Sequence, residues 1–540
     1  MARFDLLVIN ARIVDGTGTP WYRGEVAVQD GKIVYIGAPG ETAPADASKV
    51  VDAGDKVVSP GFIDIHAHSD FLLLRDPADL GKLRQGVTTE IVGQCGLTPA
   101  PVSEEYKDLL KQYTSFLHAG AELDWSWCSL GDYLKRVEDA RLGINVGFCV
   151  GHGSIRLAVM GFSSAKAGPA ELAKMQELTR QAMEDGAFGV SSGLIYPPGM
   201  YSDTEELIEV CRAAAPYGAV YLTHMRNESD HLLEAVKEAI RIGEEAGIPV
   251  QIVHHKACGR QNWGLVRESL RLIEEARARG LDITVDQYPY TATSTTLSAI
   301  LPPWAQVGGV EALCARLDDA DERARMREDI EHGGGWENQI VSCGGLDGIL
   351  IIYAPATPEV QGKTVAAAAK ERGGDPLEFA FDVIKANRGA ATACYFALCE
   401  DDVKYVMRHP LVMVGSDGIP TPPSAQPHPR MNGTFPRVLG HYSRDEKVMP
   451  LEEAVRKMTG FPAARLKLTN KGQIAVGKDA DLVIFDPATI IDRATYTDSE
   501  LPPTGIDYVF VNGVKVIDHG EYTGERPGRL LRRRTRQPGR

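Results

Sequence analysis

Two histidines, His66 and His68, stand one residue apart in the stretch GFIDIHAHSD. Apolar residues precede them, and because side chains alternate faces along a strand, both imidazoles would point the same way. Imidazole is a common ligand of Zn²⁺ and related ions, and two imidazoles on one face can reach a single ion. The spacing therefore predicts a metal site at the end of a buried strand.

Three other predicted strand ends carry further metal-ligand groups: Cys95 in VGQCG, His224 in YLTHMR and Asp417 in VGSDG. Glycines beside Cys95 permit close approach of the backbone, and divalent charge stabilises a thiolate. If two ions are present, a sulfur or an oxygen must bridge them, and Cys95 is the best candidate in this chain. Imidazole, thiolate and carboxylate groups on one rim predict a site for Zn²⁺ or a similar ion.

These residues need a fold that brings distant parts of the chain to one rim. Short apolar segments alternate with amphipathic helical segments, the pattern of βα units around a parallel sheet. The predicted strands are GFIDIHAH, TTEIVGQCG, INVGFCVGHG, AFGVSSGL, AVYLTHMR, PVQIVHHK, DITVDQYPY and PLVMVGSDG. Eight such units over about 400 residues predict an α/β fold with a (β/α)8, TIM-like barrel, whose chemistry lies at the carboxyl ends of the strands.

The sixth of these strands offers two histidines that face opposite ways. His254 shares a face with Lys256, whereas His255 shares one with Ala257. If His254 is the ligand, a cation stands beside the metal, where an anionic substrate group would be favoured, and His255 faces the barrel wall.

Alternating segments at both ends of the chain predict a second, smaller domain. Asp-Gly at 30–31 and Asn-Gly at 512–513 are typical of antiparallel hairpins. The connection after the seventh strand is too long for a loop and predicts an inserted lid. The predicted units are a β-sandwich from residues 1–59 and 466–540, the barrel from 60–465, and the lid from about 291 to 354.

Composition narrows the function classes. The formal net charge of −15 over 540 residues argues against a nucleic-acid partner or an anionic membrane surface. Nine cysteines without a CxxC motif indicate reduced thiols and a cytoplasmic protein. The apolar runs are too short for a spanning helix, and the N-terminus resembles neither a secretory signal nor an anchor. The basic tail from Arg529 to Arg540 is predicted to be solvated and frayed.

The motifs together are specific enough to indicate a family. PGFIDIHAHSD, VGQCG, SSGLIYPPGMYSDTEEL, THMRNE, HHK, DQYPYTATST, GSDG and HPRMNGTFPRVLG resemble the N-acyl-D-amino-acid deacylase (D-aminoacylase) branch of the metal-dependent amidohydrolase superfamily. The resemblance covers essentially the whole chain, up to GQIAVGKDADLVIFDP. The HxH and Asp elements are common to the superfamily, whereas GQCG and the HPR run point to this branch.

The resemblance implies a division of the metal ligands. A tightly bound zinc would be held by Cys95, His224 and His254, and a second, weaker divalent ion by His66, His68 and Asp417. Other amidohydrolases bridge two metals with a carboxylated lysine on the fourth strand. The fourth strand here reads FGVSSGLIYPP and has no lysine, which agrees with Cys95 as the bridge.

The resemblance also implies a substrate and a reaction. A small-molecule N-acyl-D-amino acid would be hydrolysed at its amide bond by metal-activated hydroxide, with Asp417 as general base and acid. Substrate contacts would fall on Lys256, Tyr288, Ser294 and Arg430. The preference for D stereochemistry follows from the resemblance alone, and self-association into a homo-oligomer stays open.

Two other functions compete with this hypothesis. A cyclic-amide hydrolase or a dipeptidase of the same superfamily would share the metals, but the missing fourth-strand lysine counts against it. A catalytically silent scaffold would be expected to have lost ligands, whereas all six candidates are present.

Overall fold

The computed structural model describes residues 3–118, 120–422 and 425–533. Each predicted strand segment contains a strand, and neighbouring strands pair in parallel. In chain order, parallel strands one to eight are Phe62–Asp64, Val87–Val92, Asn145–Phe148 continued by Val150–Gly151, Gly189–Gly193, Val220–His224, Val250–Ile252, Ile283–Gln287 and Val412–Val414.

The parallel strands form two sheets that meet at both ends. Strands one, two and the first half of strand three belong to one sheet, and the second half of strand three begins the other. At the opposite seam, residues after strands one and eight pair through a parallel bridge between Ala67 and Gly418. The Asp417 backbone N–H also donates to the His66 carbonyl at 2.8 Å. Strand eight therefore lies beside strand one at the rim that carries the predicted ligands.

Helices follow these strands because their apolar residues recur at three-to-four spacing and can pack on the sheet. The α-helices of six or more residues outside the inserted unit are Lys107–Tyr113, Leu130–Asp139, His152–Met160, Pro169–Asp185, Thr204–Ala214, Leu232–Ala246, Val266–Ala278, Glu400–Arg408, Arg430–Arg437, Leu451–Met458 and Gly460–Leu466, and a π-helix spans Val438–Asp445. Short helices lie at Leu72–Arg75 and Leu80–Leu83. The helices that begin at Pro169 and Leu232 end at Gly186 and Gly247, which adopt the left-handed conformation that terminates a helix.

Both chain ends contribute to one nine-stranded sheet. Its strands are Phe4–Ile13, Tyr22–Gln29, Lys32–Gly37, Ala47–Asp52, Val57–Pro60, Leu482–Phe485, Ile506–Val511, Val514–Asp518 and Glu521–Tyr522. The two ends meet where Val57–Pro60 pairs antiparallel with Leu482–Phe485. Asp30-Gly31 and Asn512-Gly513 turn with positive φ at both residues, as the predicted hairpins require.

A separate unit follows strand seven. It contains an antiparallel sheet of Thr293–Thr296, Ile349–Tyr353 and Thr392–Tyr395, and helices Val310–Asp318, Ala320–His332, Gln339–Ser342, Val365–Arg372 and Pro376–Ala386. Its own buried apolar cluster extends from Leu297 to Tyr395. The predicted lid boundary near residue 354 falls inside this cluster, because the last strand returns from far along the chain to pair with the first.

The prediction of a frayed tail from Arg529 is wrong for the residues that the structure describes. Leu530–Leu531 forms a strand that pairs in parallel with Val146 and Gly147 of strand three. Strand three divides at Cys149 and only its second half pairs with strand four, so the first half leaves an edge for the tail. Residues 534–540 of the predicted tail lie outside the described residues.

Within the described ranges, no helix combines the length and apolar character needed to cross a membrane; the helix Pro169–Asp185 has 17 residues.

Candidate active site

Three of the predicted ligands stand in a strained backbone conformation just beyond their strands. Cys95, His254 and Asp417 have φ values of 53°, 36° and 50°. Residues with a side chain rarely adopt this left-handed region, and such strain is concentrated at functional sites. These turns mark the carboxyl ends of strands two, six and eight.

The first ligand group contains His66, His68, Cys95 and Asp417, whose candidate ligand atoms all lie within 4.8 Å of one another. Asp417 Oδ1 lies 3.3 Å from His66 Nε2 and 3.1 Å from His68 Nε2. The Cys95 Sγ atom lies 3.5 Å from His66 Nε2. All four residues are buried, so the structure brings together four potential ligands away from solvent.

The second ligand group contains Cys95, His224 and His254, also within 4.8 Å of one another. The Cys95 Sγ atom lies 3.5 Å from His254 Nε2, and the rings of His224 and His254 pack edge to face at 4.5 Å. Cys95 belongs to both groups, which is the arrangement that a bridging ligand requires.

The electrostatics of the second group suit a divalent ion. Burial lowers the pKa of His224 and of His254 well below the usual histidine value, so both rings are neutral and each keeps a lone pair. Neither ring nitrogen of His224 has a hydrogen-bond partner among the described residues. Burial raises the pKa of the Cys95 thiol to about 11, and a bound divalent ion reverses such a shift by deprotonating a coordinating thiol. Two buried neutral imidazoles and a thiol, in a group where the His224 ring has no hydrogen-bond partner among the described residues, therefore fit a metal such as zinc.

Asp417 is ionised despite its burial. Burial opposes the charged form, but the positive charge of Arg430 holds the pKa of Asp417 well below its usual range. Arg430 is fully buried, and its Nη1 atom lies 2.8 Å from Asp417 Oδ2. The carboxylate can consequently accept a proton near neutral pH.

The two histidines of strand six lie in different environments. His254 lies in the ligand group, whereas His255 Nε2 lies 2.8 Å from the hydroxyl of Ser269 on the following helix. The structure therefore places His254 among the candidate ligands and His255 on the helix side of the strand.

Lys256 differs from the free cation that the sequence indicated. Its Nζ atom lies 2.6 Å from Glu228 Oε2 and 2.7 Å from His254 Nδ1. Glu228 also lies 3.0 Å from His254 Nδ1 through Oε1 and 3.6 Å from His224 Nε2 through Oε2. Glu228 therefore partly neutralises the charge of Lys256, since a buried ammonium requires a nearby anion.

The other predicted substrate contacts form one wall of the site. The Arg430 guanidinium lies 4.7 Å over the ring of Tyr288, and its Nη2 atom donates to the Ser294 backbone carbonyl at 3.2 Å. The Tyr288 hydroxyl is buried and has no partner among the described residues. Tyr288 and Ser294, but not Arg430, line a cavity of about 550 Å³ together with Lys256 and every member of the two ligand groups except His66.

Sequence reasoning missed Glu228, Asp286 and Tyr196. The His66 Nδ1 atom lies 3.3 Å from Asp286 Oδ1, which also accepts the backbone N–H of His254 at 2.7 Å. The Tyr196 ring packs edge to face on His224 at 5.1 Å. Strand parity could have indicated Asp286, since it shares a face with Tyr288. Glu228 lies within the quoted THMRNE motif, four residues after His224.

Parallel strands with two metal-ligand groups at their carboxyl ends define a class of protein, the metal-dependent hydrolases of TIM-barrel type. The chain belongs to the amidohydrolase family, whose family model matches residues 49–517.

Its relatives include characterised enzymes that match almost the full length. A D-aminoacylase of Alcaligenes xylosoxydans xylosoxydans is 38% identical over 98% of this chain and 98% of its own. A D-aminoacylase structure, described with a binuclear metal centre in which one metal activates and a second attenuates, is 36% identical, with a TM-score of 0.82 over 98% of this chain and 100% of its own. These matches show the TIM-barrel type of fold.

A second solved relative contains the metal. The N-acyl-D-glutamate deacylase of Bordetella bronchiseptica, in complex with zinc and a phosphonate mimic of the tetrahedral intermediate, is 35% identical. It superposes with a TM-score of 0.82 over 98% of this chain and 100% of its own.

Proposed function

We propose that this protein is a zinc-dependent amidohydrolase that cleaves N-acyl-D-amino acids into a carboxylate and a free D-amino acid. The observation that carries the proposal is the pair of buried ligand groups that share Cys95 in a cavity beside Lys256 and Tyr288. Near-full-length relatives named D-aminoacylase and N-acyl-D-glutamate deacylase support the same reaction class.

The two ligand groups have different roles in this proposal. Cys95, His224 and His254 would hold the tightly bound zinc, because burial keeps both imidazoles neutral and, within the described part of the chain, neither His224 ring nitrogen has a hydrogen-bond partner. His66, His68 and Asp417 hold a second, weaker ion, with Cys95 common to both positions.

Asp417 moves the proton in the proposed mechanism. A bound divalent ion supplies an activated water near neutral pH and polarises a carbonyl. The carboxylate of Asp417, kept ionised by Arg430, accepts the proton of the attacking water and returns it to the leaving amide nitrogen. Asp286 contacts His66 Nδ1 and the backbone N–H of His254, and so orients the His66 ring and fixes the His254 backbone.

The free α-carboxylate of the substrate binds at the wall formed by Arg430, Tyr288, Ser294 and Lys256. Arg430 is buried and in contact with Asp417, and its remaining N–H groups offer hydrogen bonds to a carboxylate. The unpartnered Tyr288 hydroxyl supplies another. Lys256 contributes a cation that Glu228 partly neutralises.

Finer features of the architecture also belong to the proposal. The nine-stranded terminal sheet is assigned as the β-sandwich of residues 1–59 and 466–540, apart from the basic tail whose strand Leu530–Leu531 pairs with strand three, and residues 60–465 as the barrel. The inserted unit acts as a lid, and its apolar cluster supports an extension from 291 to about 398. The nine unpaired cysteines support a cytoplasmic setting, and the charge of −15 supports a small-molecule partner rather than nucleic acid or a membrane.

Paired enantiomers test the proposal. The purified protein should hydrolyse N-acetyl-D-methionine or N-acetyl-D-leucine at least 100-fold faster, in kcat/KM, than the L forms, with a cyclic hydantoin as the control substrate. Equal rates on the two enantiomers, or faster opening of the hydantoin, would reject it.

A further inference from the structure

A second cavity adjoins the proposed site and has no role in the mechanism. It has a volume of about 560 Å³ and lies between the barrel and the inserted unit, with Tyr113 and Phe162 on the barrel side and Val310 and Leu313 on the other. The rings of Tyr113 and Phe162 pack edge to face at 5.1 Å.

The two cavities share a wall. Leu97, Phe116 and Tyr196 line both of them. Tyr196 packs against the ligand His224 on one side, and its hydroxyl is occupied by a hydrogen bond from Thr295 at 2.9 Å. An apolar chain that extends from the zinc position would therefore contact the carbon atoms of Tyr196, because the Tyr196 hydroxyl already has a hydrogen-bond partner.

The position of the second cavity indicates which part of the substrate could occupy it. In an N-acyl-amino acid the acyl chain and the α-carboxylate lie on opposite sides of the scissile amide. None of the proposed carboxylate contacts lines the second cavity, so a part of the substrate that enters it is not held by them. The amino-acid side chain branches from the same carbon as the carboxylate and therefore lies nearer to those contacts than the end of the acyl chain does.

We infer that the second cavity, hereafter the acyl cavity, binds the hydrocarbon tail of the acyl group, and that the preferred substrates carry acyl chains longer than acetyl. The inference rests on the proposed function and specifies its substrate class. Two polar groups in the lining have partners elsewhere: Arg388 pairs with Glu311, and the Ser298 hydroxyl donates to Thr296 Oγ1 at 3.1 Å. Gln112 Oε1, which has no hydrogen-bond partner among the described residues, is a polar exception in a lining that is otherwise largely apolar. The cavity therefore presents mainly apolar surface to a ligand.

A chain-length series on one D-amino acid tests this inference. With N-acetyl, N-butanoyl, N-hexanoyl and N-octanoyl-D-leucine, kcat/KM of the wild-type protein should rise up to fourfold for each buried methylene, the factor that corresponds to about 0.8 kcal/mol. The rise should stop when the acyl cavity is filled. A flat or falling series with measurable N-acetyl-D-leucine hydrolysis overturns the inference and leaves the proposed function intact, whereas no hydrolysis of any member rejects the proposed function itself.

A filling variant localises the effect. Val310→Trp should remove the rise with chain length and leave N-acetyl-D-leucine hydrolysis within about twofold of wild type. Val341→Trp is the matched control, since Val341 is 51% exposed in the same inserted unit, and should keep the full rise. Val310→Phe, checked by its thermal unfolding midpoint, replaces the larger substitution if that protein does not fold. A rise that survives in a folded Val310 variant places the tail elsewhere and overturns the assignment.

Discussion

The carboxylate of Asp417 connects the metal groups to the substrate wall. Its Oδ1 atom lies 3.1 to 3.3 Å from His68 and His66, and its Oδ2 atom lies 2.8 Å from Arg430. One carboxylate therefore contacts two potential metal ligands and the cation proposed to bind substrate. A residue with these three contacts can carry a proton without leaving its position.

Asp417→Asn should reduce kcat by at least about 1,000-fold, because an amide cannot accept the proton. The zinc held by Cys95, His224 and His254 should remain, so elemental analysis should still find about one zinc per chain. Asp445→Asn, at an exposed aspartate paired with Arg444, is the control and should retain wild-type turnover. Near-normal activity of Asp417→Asn would remove the assigned role.

A second residue gives a prediction about pH and stability. His118 packs 4.6 Å from the Phe71 ring and 5.6 Å from the Trp125 ring, and burial lowers its pKa to about 4. The unfolded chain binds this proton near pH 6.5, whereas the folded chain does not. His118 therefore does not reduce the free energy of unfolding above about pH 6.5. Below that pH the free energy of unfolding falls progressively until the pH reaches about 4.

A change from pH 7 to pH 5 should lower the free energy of unfolding by about 2 kcal/mol through the protonation of His118 in the unfolded chain. His118→Phe keeps an aromatic ring without a titrating group, so its thermal midpoint should fall less than that of wild type over the same interval. Parallel curves for the two proteins would show that the His118 pKa is unperturbed.

At the scale of elements, the tail strand has a structural role that its composition conceals. The Val146 backbone N–H donates to the Arg529 carbonyl at 3.0 Å, and the Arg533 N–H donates to the Gly186 carbonyl at 3.0 Å. Without the tail, buried backbone groups of strand three lose their partners, at about 1 to 3 kcal/mol for each group.

Truncation after Gly528 should therefore lower the thermal unfolding midpoint by several degrees. Truncation after Arg533 keeps the strand and should leave the midpoint unchanged. If both truncated proteins unfold at the same temperature as the full chain, Leu530–Leu531 contributes nothing measurable to stability.

The elements also show which features a sequence reveals. The strands before His66, His224 and Asp417 were predictable, because apolar runs that end in ligand residues are local patterns. The pairing of Thr392–Tyr395 with Thr293–Thr296, and of the tail with strand three, joins segments far apart in the chain. No local periodicity encodes such partners, so the extent of the inserted unit and the tail strand could not be predicted.

The same limit applies to the site. The ligand types were sufficient to predict a metal. Strand parity showed that His254 and His255 face opposite ways but left the choice between them open. The ion pair of Lys256 with Glu228 was not predictable, because a side chain in the loop after strand five reaches strand six only through the fold.

At the scale of the molecule, the parallel strands hold a metal site on one rim, and the inserted unit lies over the neighbouring acyl cavity. The structure superposes along 98% of its length on a solved D-aminoacylase, so the arrangement extends over almost the whole described chain. The central claim is that this arrangement hydrolyses N-acyl-D-amino acids only when Cys95, His224 and His254 hold zinc.

Zinc titration of chelator-treated protein tests that claim most directly, with N-acetyl-D-leucine hydrolysis and bound zinc measured on the same samples. We expect no hydrolysis without metal and full recovery of hydrolysis at about one zinc per chain. The His224→Ala variant should not recover hydrolysis at that ratio. Undiminished hydrolysis by protein shown to be free of metal would contradict it.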